Sequence, residues 1–253
     1  MRIAAVQHDI VWEDRDANFA RLAPWVAAAA GAGAELVLLT ETFSTGFSMT
    51  PGIGEPEGGP SARFLQAQAA EHGVWVGGTC PEIAADGELP YNSFVLAGPD
   101  GTTHRYRKLH PFTHAGEHQR FRAGEKPVTV EIGGLRVTPF ICYDLRFANV
   151  FWDAAPATDV YLVPANWPSP RRHHWQTLLQ ARAIENQAYV VGVNRVGRDG
   201  NGVEHAGDSR IVSPMGELLA TAAGVETVVL ADVDAAEVAA TREKFAFLPD
   251  RRA

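Results

Sequence analysis

Short apolar runs rich in valine, isoleucine and leucine recur between longer segments of mixed polarity, the pattern of strands covered by helices. Residues 3–7 (IAAVQ), 35–39 (ELVLL) and 74–78 (VWVGG) read as the first three strands. Between them, residues 16–32 and 60–72 read as helices, the first starting after acidic residues and stopping near Gly31 and Gly33. The chain therefore opens β-α-β-α-β. From Asn92 the strands come closer together: 93–96, a Pro99-Asp100-Gly101 turn, 103–107, then after a polar loop 128–132, a Gly133-Gly134 turn and 136–141. The turn dipeptides predict hairpins. Runs at 159–163 (DVYLV) and 189–193 (YVVGV) bracket a helix at about 172–187, with Trp175, Leu178 and Leu179 on its packing face. Strands at 209–213, 217–221 and 226–231 close the chain in hairpins.

No repeat, charge run or low-complexity linker interrupts this order. The expectation is one α/β domain over residues 1–253, two sheets sandwiched between helices, with the strand pairing left open.

Composition narrows the chemistry. A chain of 253 residues that is 46% hydrophobic can bury one large core. A formal net charge of -8 disfavours nucleic acid and anionic membrane as partners, because both need a basic face. Cys80 and Cys142 are too few to staple the domain or to build a thiolate zinc site, which fits a reducing compartment. The N-terminus, MRIAAVQHDI, turns polar before a signal-peptide core could form, and no segment approaches the ~20 apolar residues of a membrane span. A cytoplasmic protein acting on a small molecule is expected.

Three residues stand at predicted strand ends. Cys142 follows the apolar run Val137–Ile141 and precedes Tyr143-Asp144-Leu145-Arg146, which can start a helix. A thiol at such a turn lies beside free backbone N–H groups, which ease its ionisation, and the Tyr143 N–H can face a developing oxyanion. On its own this is weak, since free cysteines are usually buried and inert, the reading kept for Cys80. Glu41 lies just past the strand at 35–39, at the edge where open α/β sheets place ligands, and a desolvated carboxylate there suits a general base. Taken alone it is an ordinary loop carboxylate. Lys108 ends the basic run Arg105-Tyr106-Arg107-Lys108; strand alternation turns it to the face opposite Arg107, where an ammonium can meet an oxyanion. Such a run is otherwise a solvated edge.

Together, the segments Leu38-Leu39-Thr40-Glu41, Tyr106-Arg107-Lys108-Leu109-His110 and Ile141-Cys142-Tyr143-Asp144-Leu145-Arg146-Phe147 resemble the nitrilase (carbon-nitrogen hydrolase) superfamily. The resemblance runs from about Ile3 to about Leu248. It implies a four-layer α-β-β-α sandwich and a Glu-Lys-Cys triad at Glu41, Lys108 and Cys142. It further implies a second glutamate, Glu117, beside the triad, no metal or organic cofactor, and a homodimer or higher homo-oligomer. Thr40 departs from the proline many members carry before the base.

Pro164-Ala165-Asn166-Trp167-Pro168, Arg171, His174-Trp175, the stretch from Ala181 to Tyr189, Asn194-Arg195-Val196-Gly197 and Asp199-Gly200-Asn201 resemble bacterial omega-amidases. Those enzymes hydrolyse 2-oxoglutaramate to 2-oxoglutarate and ammonia. A substrate of that kind carries a distant carboxylate and calls for a cation. Arg146, Arg171, Arg172 and Arg195 are candidates; Arg146 reads as a structural salt-bridge partner and Arg171-Arg172 as a surface pair.

Two other classes compete. His114-Ala115-Gly116-Glu117-His118 matches the H-x-x-E-H pattern of zinc metallohydrolases, but Pro111 and Gly116 oppose the helix that pattern needs. A catalytically silent binding subunit on the same scaffold is the other. A Rossmann-type protein is weaker, since no G-x-G-x-x-G follows the first strand. Which amide is cleaved stays open.

Overall fold

Alternate residues of the early strands serve two different cores, and this explains the layering. The computed structural model describes residues 1–87 and 89–252. In strand β1 (Arg2–Gln7), Ile3 and Ala5 join one apolar cluster while Ala4 and Val6 join another. Strand β2 (Leu36–Leu38) divides the same way, Leu36 and Leu38 against Val37. Because successive side chains point to opposite faces, residues 3–6 and 36–38 are all apolar and buried on both sides.

The first cluster fills the space between two sheets and continues onto the helices that cover the second. One sheet contains β1, β2, β3 (Glu55–Pro56), β4 (Trp75–Ile83), β5 (Tyr91–Ala97) and β6 (Thr103–Arg107). The other contains β7 (Val130–Ile132), β8 (Leu135–Pro139), β9 (Val160–Ala165), β10 (Tyr189–Asn194), β11 (Val196–Arg198), β12 (Glu204–Val212) and β13 (Leu218–Ala223). The last strand, β14 (Thr227–Asp232), returns to the first sheet, whose path is β14-β1-β2-β4-β5-β6 with β3 beside β4. The second runs β11-β12-β10-β9-β8-β7, with β13 on β12.

Helices α1 (Arg15–Gly31) and α2 (Pro60–His72) cover the outer face of the first sheet through Leu22, Val26, Ala62 and Leu65. Helices α3 (Ala148–Ala154) and α4 (Arg172–Asn186) pack on the second through Phe151, Trp175 and Leu179. Gly192 permits that approach: a Cβ there would sit 2.4 Å from Leu179 Cδ1. The expected α-β-β-α sandwich is the architecture found. Among the described residues, no helix is long and apolar enough to cross a membrane.

Two expectations fail. The strands at 217–221 and 226–231 do not form a hairpin: β13 pairs with β12, whereas β14 crosses to the other sheet and runs antiparallel to β1, from Arg2↔Asp232 to Gln7↔Thr227. The free edge of β1 is what β14 satisfies. The chain also continues past its strands into helix α5 (Ala235–Lys244), whose start is fixed by the Asp234 carboxylate accepting the Ala236 N–H at 2.9 Å.

Candidate active site

Glu41, Lys108 and Cys142 follow β2, β6 and β8 in turn, and all three line one cavity of about 280 Å³ between the sheet ends. That volume lies near the lower end of the ~300–1,000 Å³ common for small-molecule sites.

Lys108 is 1% exposed. Its backbone N–H still donates to Asn92 O at 3.0 Å, continuing the β5–β6 ladder by one residue. Alternation then sends Arg107 out to Glu57, 3.2 Å away, and Lys108 inward. Lys108 Nζ donates to Glu41 Oε1 at 2.8 Å and to both oxygens of Glu117 at 3.0 and 2.9 Å. Burial disfavours the ammonium, but Glu117, Glu41 and Cys142 together outweigh it and hold the Lys108 pKa above its ordinary value. Asn92 Nδ2 bridges the carboxylates, 2.9 Å from Glu41 Oε1 and 3.1 Å from Glu117 Oε1.

Glu41 is fully buried, yet it remains hydrogen-bonded. Its Oε2 accepts the Asn166 N–H at 2.8 Å, and its carbonyl accepts Asn166 Nδ2 at 2.6 Å. Asn166 follows β9, so these bonds clamp one sheet to the other at the base of the cavity. Thr40, the departure from proline, places its hydroxyl 2.9 Å from His8 Nε2 on the neighbouring strand end. Thr42 has φ 43°, a left-handed conformation unusual for a β-branched residue, and its N–H donates to Thr79 Oγ1 at 2.7 Å.

Cys142 also has a positive φ, 43°. Such backbone costs about 1–3 kcal/mol and gathers at sites that the surrounding structure over-determines. The support here is Asp144, whose buried carboxylate accepts Ile141 N–H at 3.0 Å, Tyr106 O–H at 2.7 Å and His110 N–H at 2.9 Å. One carboxylate thus pins the Cys142 turn to the loop that carries Lys108. The element after Cys142 is a short 3₁₀ turn, Cys142–Arg146, rather than the start of a long helix. Its early N–H groups, Tyr143 among them, have no partner within the turn.

The expectation that this position eases thiol ionisation is not met. Burial pushes the Cys142 thiol well above its ordinary pKa and Glu41 adds to the rise, while Lys108 pulls against it. The Glu41 carboxylate and the Asn166 N–H both act on that thiol, the first raising its pKa and the second lowering it. A neutral thiol held against a carboxylate is arranged for proton transfer during attack. Cys80 is completely buried, and burial also raises its thiol.

Glu117 is buried on Lys108, with burial raising its pKa against the opposing pull of that lysine. The zinc pattern does not assemble. Gly116, at φ 75°, separates two 3₁₀ turns, Thr113–Ala115 and Glu117–Gln119, and the Glu117 carboxylate points to Lys108. His114 and His118 are exposed, and His114 lines the cavity while His118 lines a separate groove. Both histidines would have to share one helical face.

The arginines also depart from expectation. Arg172 pairs with Asp208 at 2.7 Å and the buried Arg195 with Asp9 at 2.5 Å. Arg146 forms no salt bridge among the described residues; its guanidinium lies 4.7 Å over the Trp167 ring and lines the cavity, as does Arg171. Sequence reasoning assigned no role to Asn92, Asn166 or Asp144. Asn92 left a trace, a polar pair with Ser93 at the head of an otherwise apolar strand.

A carboxylate, an ammonium and a thiol line one cavity, a set of groups that acyl-transfer chemistry can use. The model of the carbon-nitrogen hydrolase family matches residues 2–243, and the chain belongs to that family. It is an enzyme that hydrolyses carbon–nitrogen bonds of amides. It is 39% identical over 246 residues to omega-amidase YafV of Escherichia coli, covering 97% of this chain and 94% of that protein. It is 32% identical over 223 residues to a 2-oxoglutaramate amidase of Bacillus subtilis, covering 87% and 85%. A CN-hydrolase superfamily protein from Xanthomonas campestris, with an arsenic adduct in its active site, superposes with a TM-score of 0.94 at 36% identity, over 100% of this chain and 97% of that one.

Proposed function

We propose that this enzyme cleaves the terminal amide of a small dicarboxylate monoamide such as 2-oxoglutaramate, through a thioester on Cys142, releasing ammonia. The observation that carries the reading is the shared cavity of Cys142, Glu41 and Lys108. Relatives named omega-amidase and 2-oxoglutaramate amidase support the substrate class.

Glu41 takes the thiol proton as sulfur attacks the amide carbonyl. The Lys108 ammonium and the Tyr143 N–H hold the oxyanion, Lys108 turning one of its two donors to Glu117 toward it. Glu41 returns the proton to the departing nitrogen, and the C–N bond breaks to leave a thioester. Water then loses a proton to Glu41 and adds to the thioester carbonyl; the acid departs and the thiol regains its proton. Glu117 keeps Lys108 charged and in place. The roles require no metal or organic cofactor.

The proposal extends to a single catalytic domain over residues 1–253, acting in the cytoplasm as a homodimer or higher homo-oligomer. Ile184, Met215 and Leu218 are about half exposed, and the Met215–Gly216 turn lies against Ile184, giving an apolar surface suited to self-association.

Ammonia release measured on 2-oxoglutaramate, 2-oxosuccinamate, simple amides, nitriles and carbamoyl compounds tests the function. Preferential turnover of the monoamides, abolished in Cys142→Ala, is expected; parent-rate turnover by that variant contradicts it. A silent binding subunit would show an unreactive Cys142 and no turnover on any of them.

A further inference from the structure

Two arginines share the cavity with the thiol, and neither guanidinium bonds a carboxylate among the described residues. Elsewhere the arginines at Asp9, Asp159 and Asp208 have carboxylates within 2.5–2.7 Å. Arg146 and Arg171 instead lie against aromatic walls. Arg146 Cζ is 4.7 Å from the Trp167 ring centroid, and Arg171 Cζ is 5.7 Å from that of Phe112. Trp167 links the pair, because its Nε1–H donates to Arg171 O at 2.8 Å while its ring carries Arg146. Among the described residues, the one polar contact of the Arg146 guanidinium is to the exposed ring of His174, whose Nδ1 lies 3.3 Å from Nη2.

From these positions we propose that Arg146 and Arg171 form the clamp for the substrate's distal carboxylate and thereby set the preference for monoamides of short dicarboxylic acids. This rests on the function proposed above and deepens it.

The spacing suits that role. Arg146 closes the turn that Cys142 opens, and a 3₁₀ rise of ~2.0 Å per residue puts them roughly 8 Å apart along it. A five-carbon monoamide spans about 5 Å between its two carbonyl carbons, a length that fits within that backbone separation. Two like charges left unpaired in a confined space repel, and burial followed by Arg171 holds Arg146 below the ordinary guanidinium pKa. An entering carboxylate removes that repulsion, and planar guanidinium forks match its geometry. The other charged groups at the cavity are already engaged. Lys108 is bound to two glutamates, and Asp199 Oδ1 closes its own turn by accepting the N–H groups of Asn201 and Val203, each at 2.9 Å.

The test compares glutaramate with 5-methylhexanamide, in which an isopropyl group replaces the carboxylate. In Arg146→Gln and in Arg171→Gln, the glutaramate-to-5-methylhexanamide ratio of kcat/KM falls tenfold or more, mostly through KM for glutaramate, as expected for losing charge-assisted hydrogen bonds. Arg172→Gln, whose parent side chain pairs with Asp208, leaves the ratio within about twofold. Equal losses on both amides, or an unchanged ratio in both cavity variants, overturn the clamp. Glutarate binding, measured calorimetrically with the resting protein, separates the two claims. If the parent turns over neither amide, the proposed function fails, yet a tenfold weaker glutarate Kd in both variants still upholds the clamp. An unchanged Kd overturns it.

Discussion

At the residue scale, the buried trio Glu41–Lys108–Glu117 carries the charges of the proposed mechanism and is also a structural commitment. Replacing Lys108 by methionine removes the proposed oxyanion donor, and kcat is expected to fall by about 10²–10³ or more. The same change strands two buried carboxylates without their cation, which costs on the order of 3–5 kcal/mol, so the melting temperature should drop as well. A variant that keeps its parent stability would show that the two carboxylates do not both depend on Lys108. Alkylation gives a second check. Because Cys142 is a neutral thiol with partial exposure and Cys80 is sealed, iodoacetamide should label only Cys142 in the folded protein. The rate should climb steadily as pH rises above neutrality; a plateau reached below pH 7 would mean a pre-formed thiolate. Glu41 and Cys142 were legible as strand ends because each follows a visible apolar run, and Lys108 as the end of a basic run that alternation turns inward. Asn166 and Asp144 were not, because their function lies in bonds to residues 125 and 38 positions away, and no local pattern encodes such distances.

At the element scale, Asp144 joins three pieces of backbone. Asp144→Ala leaves the Tyr106 hydroxyl and the Ile141 and His110 N–H groups short of an acceptor, at about 1–3 kcal/mol for each one that stays buried. Turnover is expected to fall about 10²-fold with stability, since the loop of Lys108 and the turn of Cys142 lose their shared anchor and displacements near 1 Å suffice for such losses. Urea unfolding alongside steady-state kinetics checks both, and a stable, fully active variant would refute the anchoring role. Strands read well from sequence where both faces are buried, as in β1 and β2. Helix α5 was overlooked although Asp234-Ala235-Ala236-Glu237 carries the spacing of a capping box. The crossing of β14 to β1 was illegible for another reason: a turn fixes where a strand ends, while the choice of partner depends on which sheet edge is free.

At the scale of the whole molecule, His8 and His205 are buried, and burial lowers both to about 4 from an ordinary 6.5. Between those values the unfolded chain binds protons that the folded state refuses, so stability declines as pH falls from 6.5 toward 4, by roughly 3 kcal/mol for each histidine. Melting temperatures across that range should fall less steeply in His205→Gln than in the parent; parallel curves would contradict the assignment. Self-association through Ile184, Met215 and Leu218 predicts that Ile184→Glu lowers the mass seen by sedimentation, and an unchanged mass would remove this surface as the contact. The central claim is that sulfur, carboxylate and ammonium act together on one carbonyl carbon, and acid-quenching the enzyme during turnover of 2-oxoglutaramate, followed by peptide mass analysis, tests it most directly. One acyl group on the peptide that carries Cys142 is the expected result; an acyl group on any other residue, or steady turnover with Cys142 never modified, refutes the joint action of the three groups.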